Sequence, residues 1–123
     1  MGNIIEIIEK IENTSKDDLD LRCEIATKLG WTCELVGRSF GWHPPHVSDH
    51  VLALPPRWLT SLDAAMSLVP SGWYVEKLTE CDDHGQCSVK LKHAFDHHNE
   101  SNGCGFDVAH ALCAAALRAQ GLS

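Results

Sequence analysis

An alanine-rich run near the C-terminus, Ala109–Ala119, constrains the fold of this chain more than any other segment. Its composition and spacing predict a helix, in which residues three and four positions apart lie on the same face. One face then carries mostly small apolar side chains: Ala109, Leu112, Cys113, Ala116 and Leu117. Because these side chains are short, the helix can approach a β-sheet closely. We therefore predict a C-terminal helix packed on a sheet.

The strands of that sheet are indicated by two segments in the second half of the chain. Trp73–Leu78 and Ser88–His93 are rich in residues that favour strands, and the second alternates apolar and polar side chains. The connection Asp82–Gly85 contains Asp and Gly, which are typical of hairpin turns. The pattern predicts a central antiparallel β-hairpin.

Three further helices are predicted from spacing and capping. Isoleucines at helical spacing indicate an amphipathic helix over about residues 3–13 (Ile4, Ile5, Ile8 and Ile11). Ser15 is placed to cap a second helix, which Gly30 would end, and Thr60 or Ser61 is placed to cap a third, which ends near residue 69. Trp31–Val36 reads as a short strand. The predicted fold class is therefore α+β.

Two segments read as irregular loops because Gly, Pro and polar residues interrupt them. They are the stretch from Gly37 through Pro56 and the stretch Phe95–Gly105. A loop longer than about 12 to 15 residues is uncommon unless it is functional or disordered. The aromatic and histidine content of the first loop favours a functional role.

Composition limits the classes of protein to which the chain can belong. With 123 residues and 44% hydrophobic content, we expect a single domain, 1–123. Its 17 acidic against 10 basic residues give a net charge of -7, which disfavours binding to nucleic acid. No apolar run approaches the roughly 20 residues of a membrane span, and the start of the chain does not read as a signal peptide. These features predict a cytoplasmic protein that does not act at a membrane.

Six cysteines allow three disulfides, but the lack of an export signal favours reduced thiols. Cys23 and Cys113 lie within helical apolar patterns. Buried free cysteine behaves as a small hydrophobic residue. Both are therefore predicted to be structural.

The first loop and its flank offer a ligand-binding set. Flat aromatic faces, hydrogen-bond donors and positive charge suit an anionic or heteroaromatic ligand, or a hot spot for binding another protein. The predicted ligand-binding residues are Arg38, Trp42, His43, Arg57 and Trp58. The alternative is that the four tryptophans anchor the core, with Trp31 and Trp73 as the preferred core pair.

A second cluster, around the hairpin and the second loop, has side chains that zinc prefers. Zinc takes four nitrogen or sulfur ligands, and the possible ligands are Cys81, His84, Cys87, His97, His98 and Cys104. The spacing Cys81-x2-His84-x2-Cys87 is suggestive, but no Cys-x2-Cys element elsewhere completes a zinc-finger pattern. Zinc is thus a possible cofactor, and histidines that are merely solvated in turns are the alternative.

The question of enzymatic activity stays open at this level, with a non-enzymatic role favoured. No nucleophile-elbow motif, cysteine-protease signature or paired catalytic carboxylates are visible. Gly103 and Gly105 lack the remainder of a phosphate-loop fingerprint. We expect these two glycines to supply positive φ angles in a loop before the last helix.

The order of several motifs resembles the phage ABA sandwich domain family, small proteins of phages and prophages. The motifs are Leu19-Asp20, Ile25-Ala26, Leu29-Gly30-Trp31, Pro55–Ala65, Leu68-Val69-Pro70, Gly72-Trp73 and Ala111–Ala119. The resemblance covers residues 17–119 and leaves residues 1–14 as an N-terminal helical extension. It implies an α/β/α sandwich, in which helices cover both faces of a small antiparallel sheet. It implies no catalytic residues.

Taken with the ligand-binding set, the resemblance predicts a phage-encoded binding protein without turnover. Such a protein would counteract a host defence by sequestering a small anionic or nucleotide-like signal, or by covering a host protein. It could act as a homo-oligomer. A zinc-binding structural or regulatory protein is the alternative function.

Overall fold

A computed structural model describes residues 4–14, 18–36, 39–44, 55–79, 85–96 and 98–120. Its helices are α1 (Ile4–Asn13), α2 (Leu19–Lys28), α3 (Leu62–Met66) and α4 (Val108–Ala119). Its strands are β1 (Thr32–Val36), β2 (Ser39–His43), β3 (Trp73–Thr79), β4 (Cys87–His93) and β5 (Glu100–Gly105). The predicted α+β class is confirmed.

The strands form two antiparallel sheets. Strands β1 and β2 make a two-stranded hairpin, and β3, β4 and β5 form a three-stranded sheet in that order. The predicted pairing of the strands that begin near Trp73 and Ser88 is confirmed. Strands β2 and β5 lie in the segments that the sequence presents as loops, so the loop prediction is wrong there.

Helix α4 packs on the three-stranded sheet through two glycines of β5. A Cβ atom on Gly103 would collide with the backbone oxygen of Ala111, and one on Gly105 would lie 2.7 Å from the Cβ of His110. Ser101, also on β5, donates a hydrogen bond of 2.7 Å to the carbonyl of Ala115. These glycines therefore permit close helix–strand contact. The prediction that they supply positive φ in a loop is wrong.

Helix α4 lies on the three-stranded sheet, α1 and α3 pack against α4, and α1 also reaches strand β5. Cys87, Val89 and Leu91 of β4 are buried on the side of the sheet that faces α4. The alternate residues of β4, such as Ser88 and Lys90, lie on the opposite side. The described helices that pack on this sheet lie on one face of it.

Helix α1 is part of the hydrophobic core. Ile4, Ile7, Ile8 and Ile11 are buried in the same cluster as α4. Ile5, which the spacing argument placed on the apolar face, is 63% exposed. Four buried isoleucines on one side of a ten-residue helix explain why it packs against its own domain.

Helix boundaries follow local capping rules. Ser61 caps α3 as predicted, accepting a hydrogen bond of 3.2 Å from the N–H of Ala64. Gly30, with φ of 94°, follows α2 and allows the chain to turn. Helix α2 is capped by Asp18, and the predicted cap Ser15 lies outside the described residues. No helix in the described ranges is long and apolar enough to span a bilayer.

The cysteines are not all reduced. Cys87 is disulfide-bonded, and its partner lies outside the described residues. Cys23, Cys33, Cys104 and Cys113 have free thiols. The prediction of reduced cysteines is therefore wrong for Cys87. It is confirmed for Cys113, which is fully buried.

Candidate functional site

Trp58, predicted to contact a ligand, is a core residue. Only 2% of its surface is exposed, and its ring meets that of Trp31 edge to face with centroids 5.9 Å apart. The buried guanidinium of Arg22 donates to the carbonyls of Pro55 and Pro56, which fixes the segment that precedes Trp58. This anchoring places the indole inside the protein, where it presents no face to a ligand.

The structure describes three of the other four predicted ligand-binding residues, and their surroundings give an anion site no support. Trp42 is half-buried and packs against the core, and Arg57 is exposed. The Nε2 atom of His43 lies 3.6 Å from a carboxylate oxygen of Glu34, and this negative charge would repel an anion. Arg38 lies outside the described residues.

Two of the proposed zinc ligands are separated by the sheet. Cys87 faces the core in a disulfide, whereas Cys104 lies on the opposite face of the sheet, across from Ser88. Two ligands of one zinc ion must lie within about 2.3 Å of it, so these two cannot share a metal. His98 is exposed. Three of the set lie outside the described residues: Cys81, His84 and His97.

Across the described ranges, no group of three or more His, Cys, Asp or Glu side chains is arranged to hold a metal ion. Zinc therefore gains no support from the part of the fold that the structure describes.

The strongest candidate site lies on the sheet face turned away from α4, which we call the open face. It presents three cross-strand rows of mostly polar side chains. The rows are Thr79, Ser88 and Cys104; then Lys77, Lys90 and Asn102; then Tyr74, Lys92 and Glu100.

The first two rows enclose a depression of about 220 Å³. Two ammonium groups, two hydroxyls and one amide line it, together with Val89 and Gly103 of the strands beneath. The side chains that provide these groups are Lys77, Lys90, Thr79, Ser88 and Asn102. Each can donate a hydrogen bond, so the depression is a concave surface rich in donors.

The two lysines of the depression are direct cross-strand partners. Lys77 of β3 stands opposite Lys90 of β4, an arrangement in which like charges repel each other. Lys90 is 3.3 Å from Glu100 and 3.7 Å from Glu76. Within the described part of the chain, Lys77 has no ion pair. Of the two lysines, Lys77 is therefore the one whose charge no described carboxylate offsets.

Lys90 is held in its charged form. The hydrogen bond and charge of Glu100, followed by those of Glu76, raise its pKa above the usual value for lysine. A lysine with a raised pKa stays an ammonium at neutral pH. It can therefore donate hydrogen bonds and offset negative charge, but it does not act as a base or a nucleophile there.

The corner of the open face beside Cys104 is closed by an acidic side chain. Glu12 of α1 accepts hydrogen bonds from the N–H and the Sγ of Cys104, at 3.0 and 3.3 Å. Burial, and then the adjacent Glu12 carboxylate, raise the pKa of the Cys104 thiol. Cys104 is thus kept as a thiol, which is a poor metal ligand and a poor nucleophile.

The sequence carried part of the signal for this site. The alternation of Ser88, Lys90 and Lys92 along β4 already puts two lysines and a hydroxyl on one face. Lys77 joins them because the register shifts between Val75 and Lys77, and this irregularity is not readable from composition.

Comparison of the chain with known protein families, curated proteins and solved structures finds no match. The resemblance to the phage ABA sandwich domain family therefore stays a prediction. The fold defines an α+β protein, and its candidate site consists of side chains on the open face.

Proposed function

We propose that this protein binds a small oxyanion, or the oxyanion group of a larger ligand, in the depression of the open face. The observation that carries the proposal is the placement of Lys77 directly opposite Lys90, with the hydroxyls of Thr79 and Ser88 beside them. An oxyanion would relieve the repulsion between the two ammonium groups and accept hydrogen bonds from the hydroxyls.

The size of the depression supports a compact ligand group. Pockets that enclose whole small-molecule ligands usually measure about 300 to 1,000 Å³. A depression of about 220 Å³ is smaller than that. It suits a single oxyanion group, with the rest of a larger ligand lying outside.

The lining supports binding without turnover. None of the side chains that line the described depression is a histidine or a carboxylate that could take a proton from Ser88 or Thr79. A hydroxyl needs such a base to become a nucleophile. We therefore propose a non-enzymatic binding protein.

In the cell, such a protein would sequester a small anionic signal, and interference with a host defence is the role that we propose for it. This role rests on the resemblance to phage proteins and on the donor-rich open face. Covering of a host protein has less support, because the predicted contact residue Trp58 is buried. Zinc binding has less support because Cys87 and Cys104 lie on opposite faces of the sheet.

The test is titration of ¹⁵N-labelled protein with phosphate, acetate and dimethyl phosphate, followed by NMR. We expect backbone and side-chain shifts centred on Lys77, Ser88 and Asn102. The variant Lys77→Gln should weaken binding by about tenfold, the equivalent of one charge-assisted hydrogen bond. The control is Lys10→Gln, which removes the same charge from an exposed ion pair between α1 and α2 and should leave the binding affinity unchanged. An unchanged affinity in Lys77→Gln, or no shifts in the parent protein, would overturn the proposal.

A further inference from the structure

The charges around the depression point to a more specific ligand class. We infer that the site selects an oxyanion group with a single negative charge, as in a phosphodiester or a carboxylate, over doubly charged phosphates. This inference rests on the proposed function and concerns the selectivity of the same site.

The first argument is the local balance of charge. Among the described residues, three lysines and two glutamates stand on or beside the open face: Lys77, Lys90, Lys92, Glu76 and Glu100. Their charges add to one net positive charge, and the Glu12–Arg118 ion pair at the corner of the open face adds no net charge. One negative charge on a ligand neutralises this group, and a second has no remaining partner.

The second argument concerns hydration. The attraction of an anion to the site grows in proportion to its charge, whereas the hydration free energy that it loses grows with the square of the charge. A dianion therefore needs a strongly positive site to gain affinity. This site has two carboxylates within ion-pair distance of Lys90, and the whole protein carries a net charge of -7.

The third argument is position. Glu100 stands two residues from Asn102 along β5, about 6.6 Å away at the usual rise of a strand. Glu76 lies beside Lys77 and reaches both Lys90 and Lys92. If the second phosphate of a ligand points along the sheet toward the row of Tyr74, Lys92 and Glu100, it meets the carboxylates of Glu76 and Glu100. A pyrophosphate is thus disfavoured by its shape as well as by its charge.

The test uses NMR titrations at about pH 8, where a phosphate monoester carries two charges because its second pKa is about 6. The probes are dimethyl phosphate, acetate, methyl phosphate and pyrophosphate. We expect the tighter of the two singly charged probes to bind at least about threefold more tightly than either of the others. If the tighter probe is dimethyl phosphate, the ligand group is a phosphodiester; if it is acetate, the ligand group is a carboxylate.

Variants of the acidic residues locate the cause. Glu100→Gln should shift the preference toward methyl phosphate by about fivefold or more, because it removes one carboxylate beside Lys90. Glu76→Gln should act in the same direction. Glu24→Gln is the control. It removes the same charge from the exposed ion pair between Glu24 of α2 and Lys10 of α1, so it measures how much a distant charge alone changes the ligand preference.

The outcomes separate the two proposals. Tighter binding of methyl phosphate or pyrophosphate to the unmodified protein would overturn the selectivity while leaving oxyanion binding intact. Equal effects of Glu100→Gln and Glu24→Gln would also overturn it, because the local carboxylate would then have no special role. Absence of binding by all four probes would overturn the proposed function itself.

Discussion

Glu12 and Arg118, which are 106 residues apart in the chain, form a two-pronged ion pair in which both nitrogen–oxygen distances are 2.7 Å. Glu12 also accepts a hydrogen bond from the backbone N–H of Cys104, and Arg118 donates one to the carbonyl of Asn102. Both backbone groups belong to β5, the edge strand beside α1. The ion pair therefore occupies the edge of the sheet, where free backbone groups would invite pairing with another chain.

Loss of the two-pronged geometry should destabilise the protein. We expect Arg118→Lys, which keeps the charge, to lower the free energy of unfolding by about 1 kcal/mol. This value is reduced from that of a buried pair because the Arg118 side chain is 40% exposed. Urea denaturation measures it. Lys10→Arg, at an exposed pair on α1, is the control and should change stability by less than about 0.5 kcal/mol. Equal losses of stability in Arg118→Lys and Lys10→Arg would show that the two-pronged geometry of the Glu12–Arg118 pair has no special role.

The same pair should make stability depend on pH at the acidic end. Burial raises the pKa of Glu12, but the hydrogen bonds from Arg118 and Cys104 outweigh it, so the folded-state pKa lies below the usual value of 4.5. The unfolded chain then takes up a proton first as the solution becomes acidic. The stabilisation of the folded protein by the Glu12 carboxylate is complete above the pKa of Glu12 in the unfolded chain. It is lost as pH falls through the pKa of Glu12 in the folded protein.

Urea unfolding over the range from about pH 6 to about pH 3 tests this dependence. Glu12→Gln should be less stable than the parent near pH 6, and the difference should narrow as pH falls. A constant difference across the range would contradict the lowered pKa.

The helices were predictable because each carries its own local signals. Isoleucine spacing places α1 within a residue or two of its observed bounds, and Ser61 marks the start of α3. By contrast, β5 (Glu100–Gly105) has few residues that favour strands. It pairs with β4 because two glycines admit α4 so closely, and such tertiary packing has no local sequence signature.

The candidate site on the open face was not predicted from the sequence, for a related reason. Trp58 stands between prolines and polar residues, which suggested exposure, but Arg22 binds the preceding carbonyls and turns the indole inward. Lys77 lies on β3, whose register shift the sequence does not reveal. Asn102 lies on β5, a strand that the sequence presents as a loop. A ligand set assembled from three strands can be recognised only once their pairing is known.

Gly103 should be intolerant of any side chain. In Gly103→Ala, the new Cβ would collide with the oxygen of Ala111 and lie 2.5 Å from the nitrogen of Ala115, both in the backbone of α4. Because backbone atoms cannot rotate away, we expect a loss of about 3 kcal/mol or more in the free energy of unfolding. Thermal and urea denaturation measure it.

Asn102→Ala is the matched control for this substitution. It changes the neighbouring residue of β5, whose side chain is exposed on the open face. We expect a loss below about 0.5 kcal/mol. A comparably small effect of Gly103→Ala would mean that α4 does not lie against β5 as closely as described.

His93 should order the turn that follows β4. Its Nδ1 accepts hydrogen bonds from the backbone N–H groups of Phe95 and Asp96, at 3.2 and 3.1 Å. Its ring also meets Trp73 edge to face, with centroids 5.4 Å apart. The side-chain oxygen of asparagine can take the place of Nδ1, whereas the longer glutamine side chain places its oxygen farther out.

Both His93→Asn and His93→Gln remove the ring contact with Trp73, so a comparison of the two isolates the acceptor. We expect the amide protons of Phe95 and Asp96 to exchange with solvent about fivefold faster or more in the glutamine variant, since their acceptor is lost. Hydrogen exchange followed by NMR measures both amides in one experiment. Equal exchange rates in the two variants would mean that the ring contact, and not Nδ1, orders this turn.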